Sequence, residues 1–190
     1  MAKAFGNTRI VQPSTAGKAA NLADFNNRMA SGLYDASKSS VSPVSGAYVA
    51  YMTGHNYFTE EMEAAQFLAN AGFNVVLTPE GNGYEIYATN VKKGNYKYSE
   101  GTVSQITFEQ ATPKSMINTA ETTIKNAIKH ANTKHSNIAL IYDRYSLFHR
   151  EDIEKGMKEY QKSDKAWQKK VKAVLVVNSK GEVYEHQFEK

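Results

Sequence analysis

Two apolar runs, Asn137–Tyr142 and Val171–Val177, constrain the fold of this 190-residue chain more than any other feature. Each is a nearly unbroken stretch of aliphatic and β-branched residues, the pattern of a central strand covered on both faces. Between them, Arg150–Tyr160 sets Ile153 and Met157 on one helical face. A buried strand, an amphipathic helix and a second buried strand imply an α/β sheet, because helices must cover what such strands expose.

The flanking sequence extends the pattern. Gly46–Met52 predicts a short strand. Thr59 predicts an N-cap, with Glu60, Glu61 and Glu63 in the following first turn, where the helix dipole favours acids. Ala65, Leu68 and Ala69 form an apolar face, and Gly72 is suited to end the helix in the left-handed conformation. Phe73–Leu77 then reads as a buried strand, Pro79–Gly83 as a turn, and Tyr84–Ala88 as an alternating strand. After a hairpin tip at Lys92–Asn95, Gln105–Ala111 predicts a further strand. Pro113 opens an amphipathic helix whose buried stripe is Ile117, Ala120, Ile124, Ala127, Ile128 and Ala131. Asn178–Gly181 turns the chain from the second apolar run into Val183–Phe188. The expected order is helix, three strands, helix, strand, helix, strand, strand, in an α/β fold with a mixed central sheet flanked by helices.

Residues 1–45 differ in composition, being rich in Ser, Ala, Asn and Gly. Within them Ala20–Tyr34 predicts a short helix with Leu22, Phe25, Met29 and Leu33 on one face. The expectation is an irregular N-terminal extension or linker over 1–45 and one domain over 46–190. Cysteine is absent, which excludes disulfides, thiolate metal sites and cysteine nucleophiles. No apolar run is long enough to span a bilayer, and the first residues lack the apolar core of a signal peptide, so the chain reads as soluble with no membrane partner.

Charge is uneven along the chain. Residues 46–110 carry three Lys/Arg against seven Asp/Glu, and residues 111–190 carry fifteen against ten. An acidic middle before a basic end suits a cation site beside a polyanion-binding surface, although solvated lysines on helices account for the basicity equally simply. Within the acidic part, Glu100 and Glu109 stand nine positions apart, the second on a strand-like alternation. Two acids brought together by a hairpin offer hard oxygen ligands to a divalent cation, Mg²⁺ or Mn²⁺ first and Zn²⁺ as the alternate. Glu61 is the third candidate ligand, since it shares a helical face with Ala65 and Leu68.

Taken together, the acidic helix Glu61–Gly72, the segment Glu100…Glu109-Gln110-Ala111 and the closing strands through Val174–Val183 resemble the PD-(D/E)xK nuclease superfamily. Within it the likeness is to the C-terminal nuclease domains of contact-dependent growth inhibition and related polymorphic or phage-borne toxins. The resemblance covers residues 46–190 and implies an αβββαβ-type core and metal-dependent hydrolysis of phosphodiesters. It points to tRNA as the favoured target with DNA as the alternate, to a cognate immunity protein as partner, and to action in the cytoplasm of a target cell. Glu100, Glu109 and Glu61 fall at its metal-binding acids.

Two departures stand out. The first core acid is Glu100 where the family usually has Asp. The family lysine, which orients water and offsets charge growing on the phosphate, falls on Ala111. Alanine supplies neither charge nor hydrogen bond. This chain is therefore expected to be inactive as it stands, either as an engineered form of a toxin or as a natural pseudo-nuclease. Retention of Glu61, Glu100 and Glu109 favours the first. A nuclease fold kept for binding is one alternative function, and a metal-independent ribonuclease using His149 is another.

Several side chains are candidates for nucleic-acid contact. Gln110 and Lys114 follow the second acid. Arg144, His149 and Arg150 lie in the segment Tyr142–Arg150 after a buried strand, where α/β sheets place functional groups. The competing reading is a turn capped by Asp143 with the histidine on the surface. His55 and His186 are expected on the surface. His130 and His135 are too loosely spaced for a zinc site. Tyr84, Tyr87, Tyr96 and Tyr98 have the chemistry to stack on bases, although strand tyrosines more often pack a sheet.

Overall fold

The computed structural model describes residues 9–10, 17–79, 84–87, 104–109, 119–133, 138–163 and 171–188, with backbone alone for 9–10, 84–87 and 104–109. In chain order the elements are β1 (Arg9–Ile10), α1 (Lys18–Ala30), β2 (Ser40–Val41), β3 (Tyr48–Tyr51), α2 (Thr59–Asn70), β4 (Asn74–Leu77), β5 (Tyr84–Tyr87), β6 (Ser104–Glu109), α3 (Ala120–Thr133), β7 (Ile138–Asp143), α4 (Arg150–Ser163), β8 (Ala173–Asn178) and β9 (Val183–Gln187). From α2 onward this is the expected α/β order of helix, three strands, helix, strand, helix, strand, strand. Among the described residues no helix is long and apolar enough to cross a membrane.

The chain divides into two compact units, Val11–Gln105 and Met1–Ile10 with Ile106–Lys190. The expected boundary after residue 45 falls inside the first of these. There α1 and β2 pack on β3, so residues that looked like a linker supply a helix and an edge strand to the unit.

In the first unit β2 pairs antiparallel with β3, β3 parallel with β4, and β4 antiparallel with β5. Phe25 and Met29 of α1 pack with Tyr48, Ala50 and Val76. Arg28 fastens the helix to the strand, its Nε donating to Asp24 Oδ2 at 3.1 Å and to the Tyr48 hydroxyl at 3.0 Å. The Tyr48 hydroxyl in turn donates to Asp24. The expected apolar face is only half realised, because Leu22 and Leu33 are exposed. The helix ends at Ala30, and Tyr34 instead bridges to Met52.

Helix α2 begins one residue earlier than expected. Phe58 is its N-cap without a side-chain bond, and Thr59 is the first helical residue, so the first turn relies on Glu60 and Glu61 against the dipole. Its end follows the expectation. Gly72 has φ 103°, its N–H donates to Ala69 O at 2.9 Å, and Phe73 N–H donates to Leu68 O at 3.0 Å. That is a Schellman cap, closed by buried Leu68 and Phe73.

In the second unit β6, β7 and β8 are parallel neighbours, and β9 and then β1 add antiparallel beyond β8. Helices α3 and α4 make the two crossovers and pack together on one face. Ile124, Ile128 and Ala131 of α3 and Ile153, Met157 and Tyr160 of α4 meet Ala139, Ile141, Val174 and Val176 of the strands. A fully buried aliphatic side chain of this kind contributes roughly 1.5–3 kcal/mol. Gly156 sets the closeness of the two helices, since a Cβ there would lie 2.6 Å from Ile124 Cβ and 2.9 Å from Glu121 O. Pro113, the expected start of α3, lies outside the described residues.

Candidate active site

The carboxyl ends of parallel strands are where open α/β sheets gather functional groups. Each unit has one such end within the described residues.

In the first unit, the chain leaves β3 at Tyr51 and turns through His55 into α2, while β4 runs out at Thr78. The His55 imidazole is held at both nitrogens. Nδ1 lies 2.5 Å from Thr78 O, and Nε2 lies 2.9 Å from Glu61 Oε2. The side chains are 4% and 8% exposed. A backbone carbonyl only accepts, so Nδ1 carries the proton. A proton on Nε2 as well would complete a charge-assisted bond to the Glu61 carboxylate. Burial alone would lower the His55 pKa, but the bonds to Glu61 and Thr78 and the Glu61 charge outweigh it and raise the pKa above the ordinary histidine value. The Tyr51 ring meets the imidazole edge-on at 5.0 Å, and its hydroxyl donates to His55 O at 2.6 Å.

This arrangement corrects the expectation of a surface His55. The helical face of Glu61, Ala65 and Leu68 is buried as its spacing implies, and an acid on a buried face needs a cationic or hydrogen-bonding partner. His55 supplies it from six residues upstream. The only sequence-level signal was an acid on an apolar helical face with a histidine close before it.

In the second unit β6, β7 and β8 end at Glu109, Asp143 and Asn178, with Glu109 paired to Ile141 and Asp143 to Asn178. Asp143 is buried and accepts from Leu147 N–H at 2.8 Å and Phe148 N–H at 3.0 Å. Burial raises its pKa above the usual carboxylate range against those two donors, which lower it. Its capping role is the one the sequence offered as the simple reading. Arg144 stacks over the Tyr145 ring at 5.9 Å. His149 is exposed and immediately precedes α4, its N–H donating to Asp152 Oδ2 at 2.9 Å. Arg150 donates to Glu154 Oε1 at 2.7 Å.

His186, expected on the surface, is 4% exposed within β9. Burial, and after it the Arg150 charge, press its pKa down to about 4. Alternation across β9 hid this, because both Glu185 and His186 are buried and the strand is covered on both faces.

The remaining candidates are placed as follows. Glu100, Gln110, Ala111 and Lys114 lie outside the described residues, as do His135, Tyr96 and Tyr98. Glu109, Tyr84 and Tyr87 are described by backbone alone. Glu61 is thus the one acid of the expected trio whose side chain is placed. A carboxylate is an oxygen donor of the kind a divalent cation takes, and Oε2 of this one is bonded to a histidine. Among the described residues no group of three or more His, Asp or Glu side chains is arranged to hold a metal ion. No protein-family model matches the chain, and no curated protein or solved structure is significantly similar to it.

Proposed function

We propose that this chain is a metal-dependent nuclease domain of toxin type, directed at tRNA or alternatively DNA, in a form disarmed at Ala111. The observation that carries the reading is Glu61. It stands in the first turn of the helix that precedes three strands, buried and oriented by His55, in an element order that suits an αβββαβ nuclease core.

In this reading Glu61, Glu100 and Glu109 hold Mg²⁺ or Mn²⁺, with Zn²⁺ as the alternate. When bound, the cation supplies Lewis-acid polarisation of a phosphodiester and a more acidic water. The chain's own residues do the rest. His55 orients the Glu61 carboxylate, and the half-buried Arg144 with the exposed His149 and Arg150 supplies donors for phosphate. Position 111 is where a lysine would orient the water. A cognate immunity protein is the expected partner.

The test is Ala111→Lys, assayed on total tRNA and plasmid DNA with Mg²⁺ or Mn²⁺ and with EDTA. Cleavage that needs the metal and the lysine is the expected result, and Glu61→Gln in that background should abolish it. An inert Ala111→Lys protein that still binds nucleic acid would favour the competing reading, a nuclease fold retained for binding, which Ala111 itself supports. Cleavage that persists in EDTA would point to a metal-independent ribonuclease.

A further inference from the structure

We propose that the loop between β7 and α4 is a stacking platform for an unpaired nucleotide, the Tyr145 ring taking the base and Arg144 the adjoining phosphate. The inference rests on the nucleic-acid partner of the proposed function and not on its hydrolytic chemistry.

The starting observation is Ser146. With φ 52° it is the one non-glycine residue in the left-handed region among the described residues. A conformation disfavoured for a side-chain-bearing residue persists only where its surroundings impose it, and such positions concentrate at functional loops. Here the surroundings are explicit. Ser146 N–H donates to Asp143 O at 3.1 Å, and its Oγ meets Ser179 Oγ at 2.6 Å and accepts from Ser179 N–H at 3.1 Å. The Asp143 carboxylate takes the next two N–H groups, of Leu147 and Phe148. The segment is therefore clamped to its own strand end and to the β8–β9 turn. What the clamp presents outward is Tyr145, 57% exposed, with the Arg144 guanidinium over its ring.

The chemistry of that surface favours a polyanion with accessible π-faces. An exposed aromatic ring on a hydrogen-bonded loop offers a base a face to stack on, and a guanidinium beside it serves both stacking and phosphate. The exposed neighbours His149 and Arg150 add donors. The nearby acids are partly spent, Asp152 on the His149 N–H and Glu154 on Arg150, leaving Glu151 exposed as the opposing charge. Bases inside a duplex hide their faces, so the platform selects single strands, loops or ends.

The test uses the full chain in EDTA, with fluorescence anisotropy of a labelled single-stranded RNA, the DNA of the same sequence and the corresponding duplex. Both single strands should bind more tightly than the duplex. Tyr145→Ala should weaken single-strand binding about 10-fold, the size of one lost base stack, while Tyr145→Phe stays within about 2-fold. Arg144→Gln should weaken binding and reduce the salt dependence by about one phosphate contact. Unchanged far-ultraviolet dichroism will show that these surface variants fold. Binding of Tyr145→Ala equal to wild type, a duplex bound as tightly as the single strands, or no binding at all would overturn the platform. Tyr145-dependent binding with no cleavage by the Ala111→Lys form would leave the platform standing and remove the nuclease. Cleavage by that form with Tyr145→Ala silent would remove the platform alone.

Discussion

His55 Nε2 and Glu61 Oε2 lie 2.9 Å apart across the turn into α2, both side chains almost wholly withdrawn from solvent. Removing one member of a buried pair strands the other, which costs several times what the pair itself contributes. Glu61→Ala is expected to lower unfolding free energy by about 3 kcal/mol. The double variant His55→Leu/Glu61→Ala should recover at least about 1 kcal/mol relative to the sum of the single effects. Urea titration of the four proteins gives the coupling directly. Strict additivity would mean that the two groups do not interact.

His186 makes acid stability a readout of burial. Its pKa is depressed to about 4 in the folded chain, below the ordinary histidine value of 6.5, so the unfolded state binds a proton first as pH falls. That stabilisation of the fold is complete above the unfolded pKa and is lost as pH falls toward 4. Between pH 7 and pH 5 the loss from this group is about 2 kcal/mol. Asp143 opposes it at the acid end, since its raised pKa makes the folded state the better proton binder there. Comparison of wild type with His186→Leu by urea titration at both pH values cancels the Asp143 contribution. The difference should shrink by about 2 kcal/mol on acidification, and a constant difference would rule out a buried neutral histidine.

Gly156 is expected to reject even alanine. Alanine gains about 1 kcal/mol in helix propensity at an ordinary site. Here the added Cβ would sit 2.9 Å from the Glu121 carbonyl oxygen, a backbone atom that cannot move without α3. Gly156→Ala should therefore destabilise by about 2 kcal/mol in spite of propensity. Ile124→Ala in the same chain should rescue little, because it removes Cγ2 and leaves both the Cβ at 2.6 Å and the Glu121 carbonyl oxygen at 2.9 Å. A thermal midpoint at or above wild type for Gly156→Ala would show that the helices are further apart.

Asp143 tests the loop frame. Asp143→Ala orphans the Leu147 and Phe148 N–H groups, at a cost of about 1–3 kcal/mol. Hydrogen exchange should accelerate at residues 146–148 more than in α4. Uniform acceleration throughout the unit would instead assign Asp143 a role in global stability alone.

The order of elements was legible in the sequence because periodicity is a local property. The runs at 137–142 and 171–177, the stripe Ile124, Ala127, Ile128 and Ala131, and the Gly72 terminator each carry their own signal within a few residues. All appear in β7, β8, α3 and the cap of α2. The cap of Asp143 was legible for the same reason. Leu22 was misread because helical spacing says which residues share a face, and only the packing of α1 on β3 says how far that face extends; Leu33 was misread because the helix stops at Ala30.

By itself, then, the sequence determined an α/β chain in this order, with an acid on the buried face of α2 and a polar loop after β7. Only the tertiary structure decided what those groups meet. His55 is buried because Thr78, 23 residues away, and Glu61 on the next helix both reach its ring. Ser146 is held left-handed by Ser179, 33 residues away. Pattern along the chain reports which residues must leave water, and the partners that satisfy them there are chosen by contacts between distant segments, which no local period encodes.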